Sequence, residues 1–166
     1  MTTRRTAWMG LAAAAAGVRG LFAAAPARAE AAAAAREVVH TDAEWHKLLT
    51  PEQFNVLRKA GTELPFSSPL DKEKRAGVFS CAGCAQPLFS SKAKFDSGTG
   101  WPSFYEPLSK TAVEEHTDRS FGMKRTEVLC HRCGGHLGHV FDDGPRPTGL
   151  RYCMNGLALA FTPGAA

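Results

Sequence analysis

The chain has 166 residues and a formal net charge of +4, from 20 Lys and Arg against 16 Asp and Glu. Four of the basic residues lie in the first 29 residues, where there is no acid, so the remaining 137 residues carry 16 of each sign. This neutral remainder suits one compact domain with a buried core, and it argues against a nucleic-acid-binding protein.

The N-terminal segment has the features of an export signal. The pair Arg4-Arg5 precedes a weakly apolar stretch from Ala7 to Val18. Paired arginines in this position are typical of the twin-arginine route. The stretch is followed by Ala27-Arg28-Ala29, a small-x-small pattern suited to signal peptidase.

We therefore predict a signal peptide at 1–29, a flexible alanine-rich spacer at 30–40 and a folded domain at 41–163. The mature protein is expected to be exported to the periplasm, with no membrane attachment. The alternative for the first segment is a disordered, alanine-rich tail. A membrane span is disfavoured because Arg19 and Pro26 interrupt the apolar run well short of about twenty residues.

Two short helices are predicted at the start of the domain. Thr41 followed by Glu44 fits a capping box, in which each side chain bonds the other residue's backbone. Thr50 and Gln53 repeat this pattern, and Gly61 is the predicted stop of the second helix. We expect both helices to cover one end of a β domain.

The rest of the chain predicts a mainly β domain of antiparallel strands. Short apolar runs alternate with Gly, Pro and Ser, and no long helical period is present. The candidate strands contain Val78-Phe79, Leu88-Phe89, Ala112-Val113, Val128-Leu129, Val140-Phe141 and Leu157 to Phe161.

Four of the five cysteines form two C-x-x-C pairs, Cys81 with Cys84 and Cys130 with Cys133. Each pair can turn both sulfurs toward one point, and two pairs supply the four thiolates of a tetrahedral zinc site. We predict one structural Zn²⁺ per chain. The alternatives are disulfides, which are common in exported proteins, and a redox-active C-x-x-C pair.

Cys153 is the cysteine left over, and its neighbours suggest a reactive thiol. Arg151 and Asn155 lie two residues to either side, so all three share a face if this segment is a strand. A guanidinium lowers the pKa of a neighbouring thiol, and an amide can hold a reacting oxygen. The alternatives are a buried, inert cysteine and a hairpin turn at Asn155-Gly156.

Two further segments supply polar and aromatic candidates. His136 and His139 lie in a glycine-rich segment and are free for acid–base work if four thiolates complete the zinc site. Trp101 lies in a loop that contains two glycines, Gly98 and Gly100, and can form an apolar wall for a small methyl-bearing substrate. The alternatives are structural or surface histidines and a tryptophan in the core.

Together these motifs resemble the B-type peptide-methionine sulfoxide reductases, from about Thr41 to Phe161. The matching segments are the two C-x-x-C pairs, Gly98-Thr99-Gly100-Trp101-Pro102-Ser103-Phe104, Gly135-His136-Leu137-Gly138-His139-Val140-Phe141, Asp143-Gly144-Pro145 and Arg151-Tyr152-Cys153-Met154-Asn155. The resemblance implies two antiparallel sheets packed around the active site, with zinc on the far side. It also implies reduction of the R epimer of methionine sulfoxide in oxidised proteins and peptides.

The resemblance assigns a role to each candidate residue. Cys153 matches the nucleophile, which becomes a sulfenic acid, and Trp101 matches the residue that packs the substrate's methyl group. His136 and His139 match the histidines that donate or relay a proton. The residues that activate the thiol or order the site are matched by Arg151, Asn155 and Asp143.

Thr99 departs from the pattern of many family members, which have a cysteine there to resolve the sulfenic acid. The expected reductant is therefore an external thiol, from a thioredoxin-like protein or a small dithiol. Two other functions remain open at this point. One is a non-enzymatic zinc module that binds a ligand through Trp101, and the other is a zinc-ribbon nucleic-acid binder, which the near-zero charge disfavours.

Overall fold

A computed structural model describes residues 36–165 of the chain. The predicted signal peptide and residues 30–35 of the predicted spacer lie outside the described residues. From Arg36 onward the chain contacts the domain, since Arg36 forms an ion pair with Glu114 at 2.6 Å and the Val38 N–H donates to the Arg132 carbonyl at 3.1 Å. No helix in the described part of the chain is long and apolar enough to cross a membrane.

Two α-helices open the domain, α1 at Asp42–Leu48 and α2 at Pro51–Lys59. Both predicted capping boxes are present, which confirms the predicted helix starts. The second helix ends one residue before the predicted stop, because Ala60 rather than Gly61 takes the left-handed conformation, with φ 52°. The buried face of α2 carries Phe54, Val56 and Leu57.

Within residues 36–165, nine strands form two antiparallel sheets, so the predicted mainly β, two-sheet fold is confirmed. The small sheet has the order β2-β1-β9 and the large sheet the order β3-β4-β8-β7-β6-β5. The strands are β1 Gly77–Cys81, β2 Pro87–Ser90, β3 Lys94–Phe95, β4 Ser103–Phe104, β5 Val113–Asp118, β6 Arg125–Cys130, β7 His136–Phe141, β8 Arg151–Met154 and β9 Leu159–Pro163.

Each predicted strand has a counterpart, although two have shifted starts. β5 begins at Val113 rather than Ala112, and β9 begins at Leu159 because 156–158 form a 3-10 turn. The two-residue strands β3 and β4 were not predicted, since they lie in the glycine- and serine-rich segment around Trp101.

Aromatic rings join the two sheets in the core. Phe79 of β1 packs edge-on against Phe104 of β4 with ring centroids 4.9 Å apart, and Phe89 of β2 stacks on Phe104 at 4.4 Å. All three side chains are fully buried. Aromatic contacts of this geometry add to the stabilisation that burial alone provides, and they fix the large sheet against the small one.

Candidate active site

A row of cross-strand partners runs over four neighbouring strands of the large sheet. Cys153 on β8 pairs with Ser103 on β4 and with His139 on β7, and His139 pairs with Glu127 on β6. Residues directly opposite one another in antiparallel strands share a face of the sheet. The fold therefore places the thiol beside a histidine and a serine that are far away in sequence.

Cys153 opens into a small cavity of about 150 Å³. This volume is below the range of pockets for drug-sized ligands, and it suits a single side chain. The lining residues are Thr62, Trp101, Arg125, Gly138, His139, Phe141, Cys153 and Asn155. A larger cleft of about 510 Å³ beside Tyr105 and Tyr152 contains no cysteine or histidine. Of the predicted site residues, the cavity brings together Trp101, His139, Cys153 and Asn155.

The groups around Cys153 shift the pKa of its thiol in opposite directions. Burial raises the pKa of the Cys153 thiol, while the Thr99 hydroxyl, the Arg151 guanidinium and Ser103 lower it. The net pKa is raised, so Arg151 moderates the effect of burial without reversing it. The predicted lowering by Arg151 is present, but the thiol as a whole does not have a low pKa in the free protein.

Arg151 and Asp143 form a two-point ion pair at the edge of the site. Arg151 Nε and Nη2 donate to the two carboxylate oxygens of Asp143, each at 2.8 Å. This contact lowers the pKa of Asp143 and raises that of Arg151. The guanidinium carbon also lies 4.5 Å from the ring centre of Phe141, which lines the cavity. Asp143 therefore orients Arg151 and does not reach the cavity itself.

His139 is held by a carboxylate that the sequence did not reveal. Its Nε2 lies 2.9 Å from Asp118 Oδ2, and Arg125 Nη2 donates to the same oxygen at 2.7 Å. Hydrogen bonds from Ser120 and from His139 keep the pKa of Asp118 well below its usual range, so this oxygen is an acceptor. Burial lowers the pKa of His139, while Asp118 opposes that change.

His136 lies behind His139 and outside the cavity. The two ring centres are 5.4 Å apart, and His136 is buried with Nδ1 2.6 Å from Glu127 Oε1. The hydrogen bond from His136 lowers the pKa of Glu127. The two predicted histidines therefore lie close together, but only His139 reaches the cavity. No spacing in the sequence links Asp118, Arg125 or Glu127 to the histidines, since only strand register brings them there.

Asn155 is fixed by the segment that follows α2. It lies just after the end of β8 and its Oδ1 accepts from the Glu63 N–H at 3.0 Å, while Nδ2 donates to the Leu137 carbonyl at 3.1 Å. The hairpin-turn alternative is wrong, because β8 and β9 belong to different sheets and 156–158 form a 3-10 turn. Asn155 therefore presents a restrained amide to the cavity.

Glu63 connects this region through hydrogen bonds, although no motif in the sequence points to it. Its carboxylate accepts from the backbone N–H groups of Gly156 and Leu157 at 2.6 and 2.8 Å, and burial raises its pKa. The carbonyl of Glu63 accepts from the Trp101 indole at 3.2 Å. Trp101 is half-buried and lines the cavity, so it is not a core residue. The hydrogen bond to Glu63 therefore holds the indole in place as one wall of the cavity.

The four paired cysteines form a second site. Their sulfur atoms all lie within 4.8 Å of one another, with Cys81 to Cys133 at 3.8 Å and Cys84 to Cys130 at 3.5 Å. Disulfides are contradicted, because all five cysteines are free thiols and these distances far exceed an S–S bond of about 2.05 Å. Tetrahedral zinc with Zn–S bonds of about 2.3 Å places its sulfurs about 3.8 Å apart. The cluster can therefore hold a metal ion, consistent with zinc.

Comparison with known proteins agrees with this geometry. A family model described as the SelR domain matches residues 49–163. The peptide methionine sulfoxide reductase MsrB of Methanosarcina mazei is 55% identical over 129 residues, which cover 78% of this chain and 92% of that protein. The chain belongs to the MsrB family of SelR-domain proteins. The resemblance seen in the sequence is thereby confirmed.

Other members of the MsrB family show a similar match. The proteins of that name from Agrobacterium fabrum and Thiobacillus denitrificans are 54% and 58% identical, over 127 and 123 residues. The alignments cover 76% and 74% of this chain and 94% and 93% of those proteins. The MsrB-family domain thus accounts for nearly all of the chain that the structure describes.

Proposed function

We propose that this protein is an oxidoreductase that reduces methionine R-sulfoxide in oxidised proteins and peptides to methionine. The observation that carries the proposal is the cavity in which the Cys153 thiol lies beside the indole of Trp101 and the imidazole of His139. The thiol of Cys153 supplies the electrons, the indole of Trp101 packs against the substrate's methyl group, and the imidazole of His139 protonates the substrate's oxygen. Membership of the MsrB family supports the same conclusion, since its members from Methanosarcina mazei and Agrobacterium fabrum are named peptide methionine sulfoxide reductases.

In the proposed mechanism the Cys153 thiolate attacks the sulfur of the sulfoxide. His139 delivers a proton to the sulfoxide oxygen, because an unprotonated oxide is a poor leaving group. Asp118 stabilises the positive charge of the imidazolium, and His136 with Glu127 supports the ring from behind. The attack by the thiolate forms a bond between the two sulfurs as the protonated oxygen departs from the substrate's sulfur. Transfer of that oxygen, as hydroxide, to the Cys153 sulfur then breaks the sulfur–sulfur bond, so that methionine leaves with two electrons and Cys153 becomes a sulfenic acid.

The arrangement also accounts for the roles of the other polar residues. Arg151, oriented by Asp143, favours the thiolate that attacks. Asn155 lies in the cavity with its amide fixed by Glu63 and Leu137, so it can orient the sulfoxide oxygen. Because the indole and the amide are both fixed, only one epimer can direct its methyl to the first and its oxygen to the second.

An external thiol is proposed to complete the cycle. One thiol attacks the sulfenic acid of Cys153 and releases water, and a second thiol releases Cys153 from the mixed disulfide. The source is a thioredoxin-like protein or a small dithiol. Thr99 supports this proposal, since it occupies the place beside Cys153 where many family members have a resolving cysteine.

We further propose that the four-cysteine cluster holds one structural Zn²⁺. The cluster joins the turn between β1 and β2 of the small sheet to the turn between β6 and β7 of the large sheet. The metal would therefore hold the two sheets together at a distance from Cys153, which is absent from the cluster. Zinc carries no redox chemistry, so its contribution is to stability.

Export remains part of the proposal through residues 1–29. The pair Arg4-Arg5 and the Ala27-Arg28-Ala29 pattern support a twin-arginine signal and a periplasmic mature protein. Sequencing the N-terminus of the protein recovered from the periplasm tests this directly. An intact Met1 on cytoplasmic protein would contradict it.

The activity is tested with separated R and S epimers of N-acetyl methionine sulfoxide, with dithiothreitol as reductant. We expect turnover of the R epimer alone. Cys153→Ser should abolish turnover, because a serine hydroxyl cannot accept the oxygen and be regenerated by thiols. A protein that binds the R epimer but never turns it over would instead be a non-enzymatic binding module.

A further inference from the structure

Two exposed apolar side chains lie next to the cavity. Leu64 is 76% exposed and Phe66 is 63% exposed, and both belong to the segment 62–66. This segment begins with Thr62, which lines the cavity. Scattered apolar residues are ordinary on protein surfaces, but neighbouring ones beside an active site are typical of a surface that contacts a ligand.

The segment 62–66 is held rigidly against the loop that carries Trp101. The Phe66 N–H donates to the Gly100 carbonyl at 2.7 Å, and the Trp101 indole donates to the Glu63 carbonyl at 3.2 Å. A β-carbon at Gly100 would lie 2.8 Å from the Phe66 ring, so the ring rests directly on the glycine backbone. Phe66 also has φ 64°, an unfavourable angle for a bulky residue that these contacts maintain.

A groove lies on the other side of the segment. It has a volume of about 470 Å³ and lies between α2 and the segment 62–66. Val56, Leu64 and Leu157 form the aliphatic part of its lining, and the rest of the lining consists of Pro51, Glu52, Asn55, Thr62, Glu63 and Ser67. Thr62 lines both the groove and the cavity, so the two are adjacent.

We propose that the segment 62–66 and this groove bind the residues that flank methionine sulfoxide in an unfolded polypeptide, with a preference for apolar side chains. This inference rests on the proposed function. When a methionine sulfoxide side chain occupies the 150 Å³ cavity, its main chain stays at the cavity mouth because the peptide is covalently continuous. The flanking residues then lie on the surface around the cavity, which includes Thr62 and the segment that follows it.

The composition of the surface decides the chemistry of the partner. A buried methionine packs against apolar side chains, and oxidation makes it polar and disrupts the core that contained it. The polypeptide that results exposes apolar residues near the sulfoxide. Leu64 and Phe66 are apolar and exposed, so this surface favours apolar residues in the sequence that flanks the sulfoxide.

The test uses three substrates that contain methionine R-sulfoxide. One is N-acetyl methionine sulfoxide amide, which is too small to reach beyond the cavity. The other two are short peptides with lysine ends and with either leucine or serine on both sides of the sulfoxide. For the wild type we expect kcat/KM to be about tenfold higher for the leucine peptide than for the serine peptide.

The double variant Leu64→Ser, Phe66→Asn removes the apolar surface. Asparagine is chosen because it tolerates the left-handed backbone of Phe66. We expect this variant to discriminate between the two peptides by less than about twofold while it still reduces the small amide. Leu108→Ser is the matched control, since Leu108 is also exposed, at 44%, and lines neither the groove nor the cavity. It should keep the wild-type preference.

The outcomes separate this inference from the proposed function. If the wild type does not reduce the small amide, the proposed function is wrong and the inference falls with it. Reduction of all three substrates without preference for the leucine peptide would overturn the inference alone. The same holds if the double variant keeps the preference, or if light scattering shows that a second copy covers this surface in the wild type and dissociates in the double variant. The wild-type comparison decides the matter even if the double variant does not fold.

Discussion

The hydroxyl of Thr99 lies 3.9 Å from the sulfur of Cys153. Thr99 is held there by Ser97, whose hydroxyl lies 2.8 Å from the hydroxyls of both Thr99 and Ser103. The position beside the thiol is therefore occupied by hydroxyl groups. Because the other four cysteines form a separate cluster, no second thiol is available at Cys153.

Replacement of this hydroxyl by a thiol is expected to change how Cys153 is recycled. In the wild type, one equivalent of methionine R-sulfoxide without reductant should consume one thiol and leave one oxygen atom on Cys153. In the Thr99→Cys variant the same treatment should consume two thiols and form a disulfide between the cysteine introduced at position 99 and Cys153. The sulfurs must approach by about 2 Å, and the neighbouring glycines Gly98 and Gly100 allow the loop to move.

Intact-mass spectrometry with peptide mapping distinguishes these products. Thr99→Ser is the matched control, because it keeps the hydroxyl and should behave as the wild type. A wild-type disulfide between Cys153 and any cysteine of the cluster would contradict the prediction and would remove the need for an external thiol.

Arg151 is expected to control the reactivity of Cys153 toward alkylation. Only the thiolate reacts, so the rate with iodoacetamide should rise with pH through the Cys153 pKa, which burial places above the ordinary thiol value. Arg151→Gln removes a charge that lowers this pKa, so the midpoint should move to higher pH and the rate at neutral pH should fall. Arg75→Gln changes an exposed arginine paired with Glu73 and should leave the profile unchanged. A midpoint that moves to lower pH in Arg151→Gln would refute this role.

Asp118 is expected to set the protonation of His139. Loss of the carboxylate in Asp118→Asn removes an interaction that raises the pKa of His139 and leaves the burial that lowers it. The imidazolium should then form at lower pH, and kcat should fall by about tenfold to a hundredfold. NMR titration of His139 and steady-state kinetics measure the two effects. Glu115→Gln on the same strand, at a side chain that accepts from Tyr152, is the control. An unchanged or raised His139 midpoint would count against this role.

The parts of the fold that depend on local sequence could be predicted. The capping boxes at Thr41 and Thr50 each involve residues within one span of four, so the local sequence alone indicates where the helices begin. The two-residue strands β3 and β4 carry no such signal. They are strands because β4 pairs with β8, a partner about fifty residues later, and the order of the large sheet depends on such distant pairings.

The same distinction applies to the site. Cys153, Arg151 and the cysteine pairs were recognised from their spacing, because the chemistry requires neighbours along the chain. Asp118 and Glu127 were missed, since a lone acidic residue in a polar strand is ordinary. They reach the histidines only because β5, β6 and β7 are aligned in a particular register. Membership of the family implied the histidines but not the carboxylates that hold them.

Removal of the metal is expected to destabilise the domain. If Zn²⁺ joins the two sheets through the cysteine cluster, a chelator should lower the midpoint of thermal unfolding by about 10 °C or more. Cys84→Ser should have a similar effect and should bind well under one zinc per chain. Cys153→Ser is the control, since it should keep both the metal and the wild-type midpoint. Wild-type protein that is equally stable without metal would contradict a structural role.

Gly138 is expected to be indispensable because two strands meet closely at its position. A β-carbon there would lie 2.1 Å from the carbonyl oxygen of Cys153 and 3.0 Å from the Cα of Met154. Gly138→Ala must therefore push β8 away from β7, and we expect the free energy of unfolding to fall by about 2 kcal/mol. The same movement separates the Cys153 sulfur from His139, so kcat should fall by about a hundredfold, more than the loss of stability alone would cause.

Urea unfolding and single-turnover kinetics measure the two effects. Gly83→Ala is the matched control, because its β-carbon would meet its neighbours at ordinary distances of 3.5 Å or more. A stable Gly138→Ala protein with full activity would show that the spacing of β7 and β8 does not position the thiol.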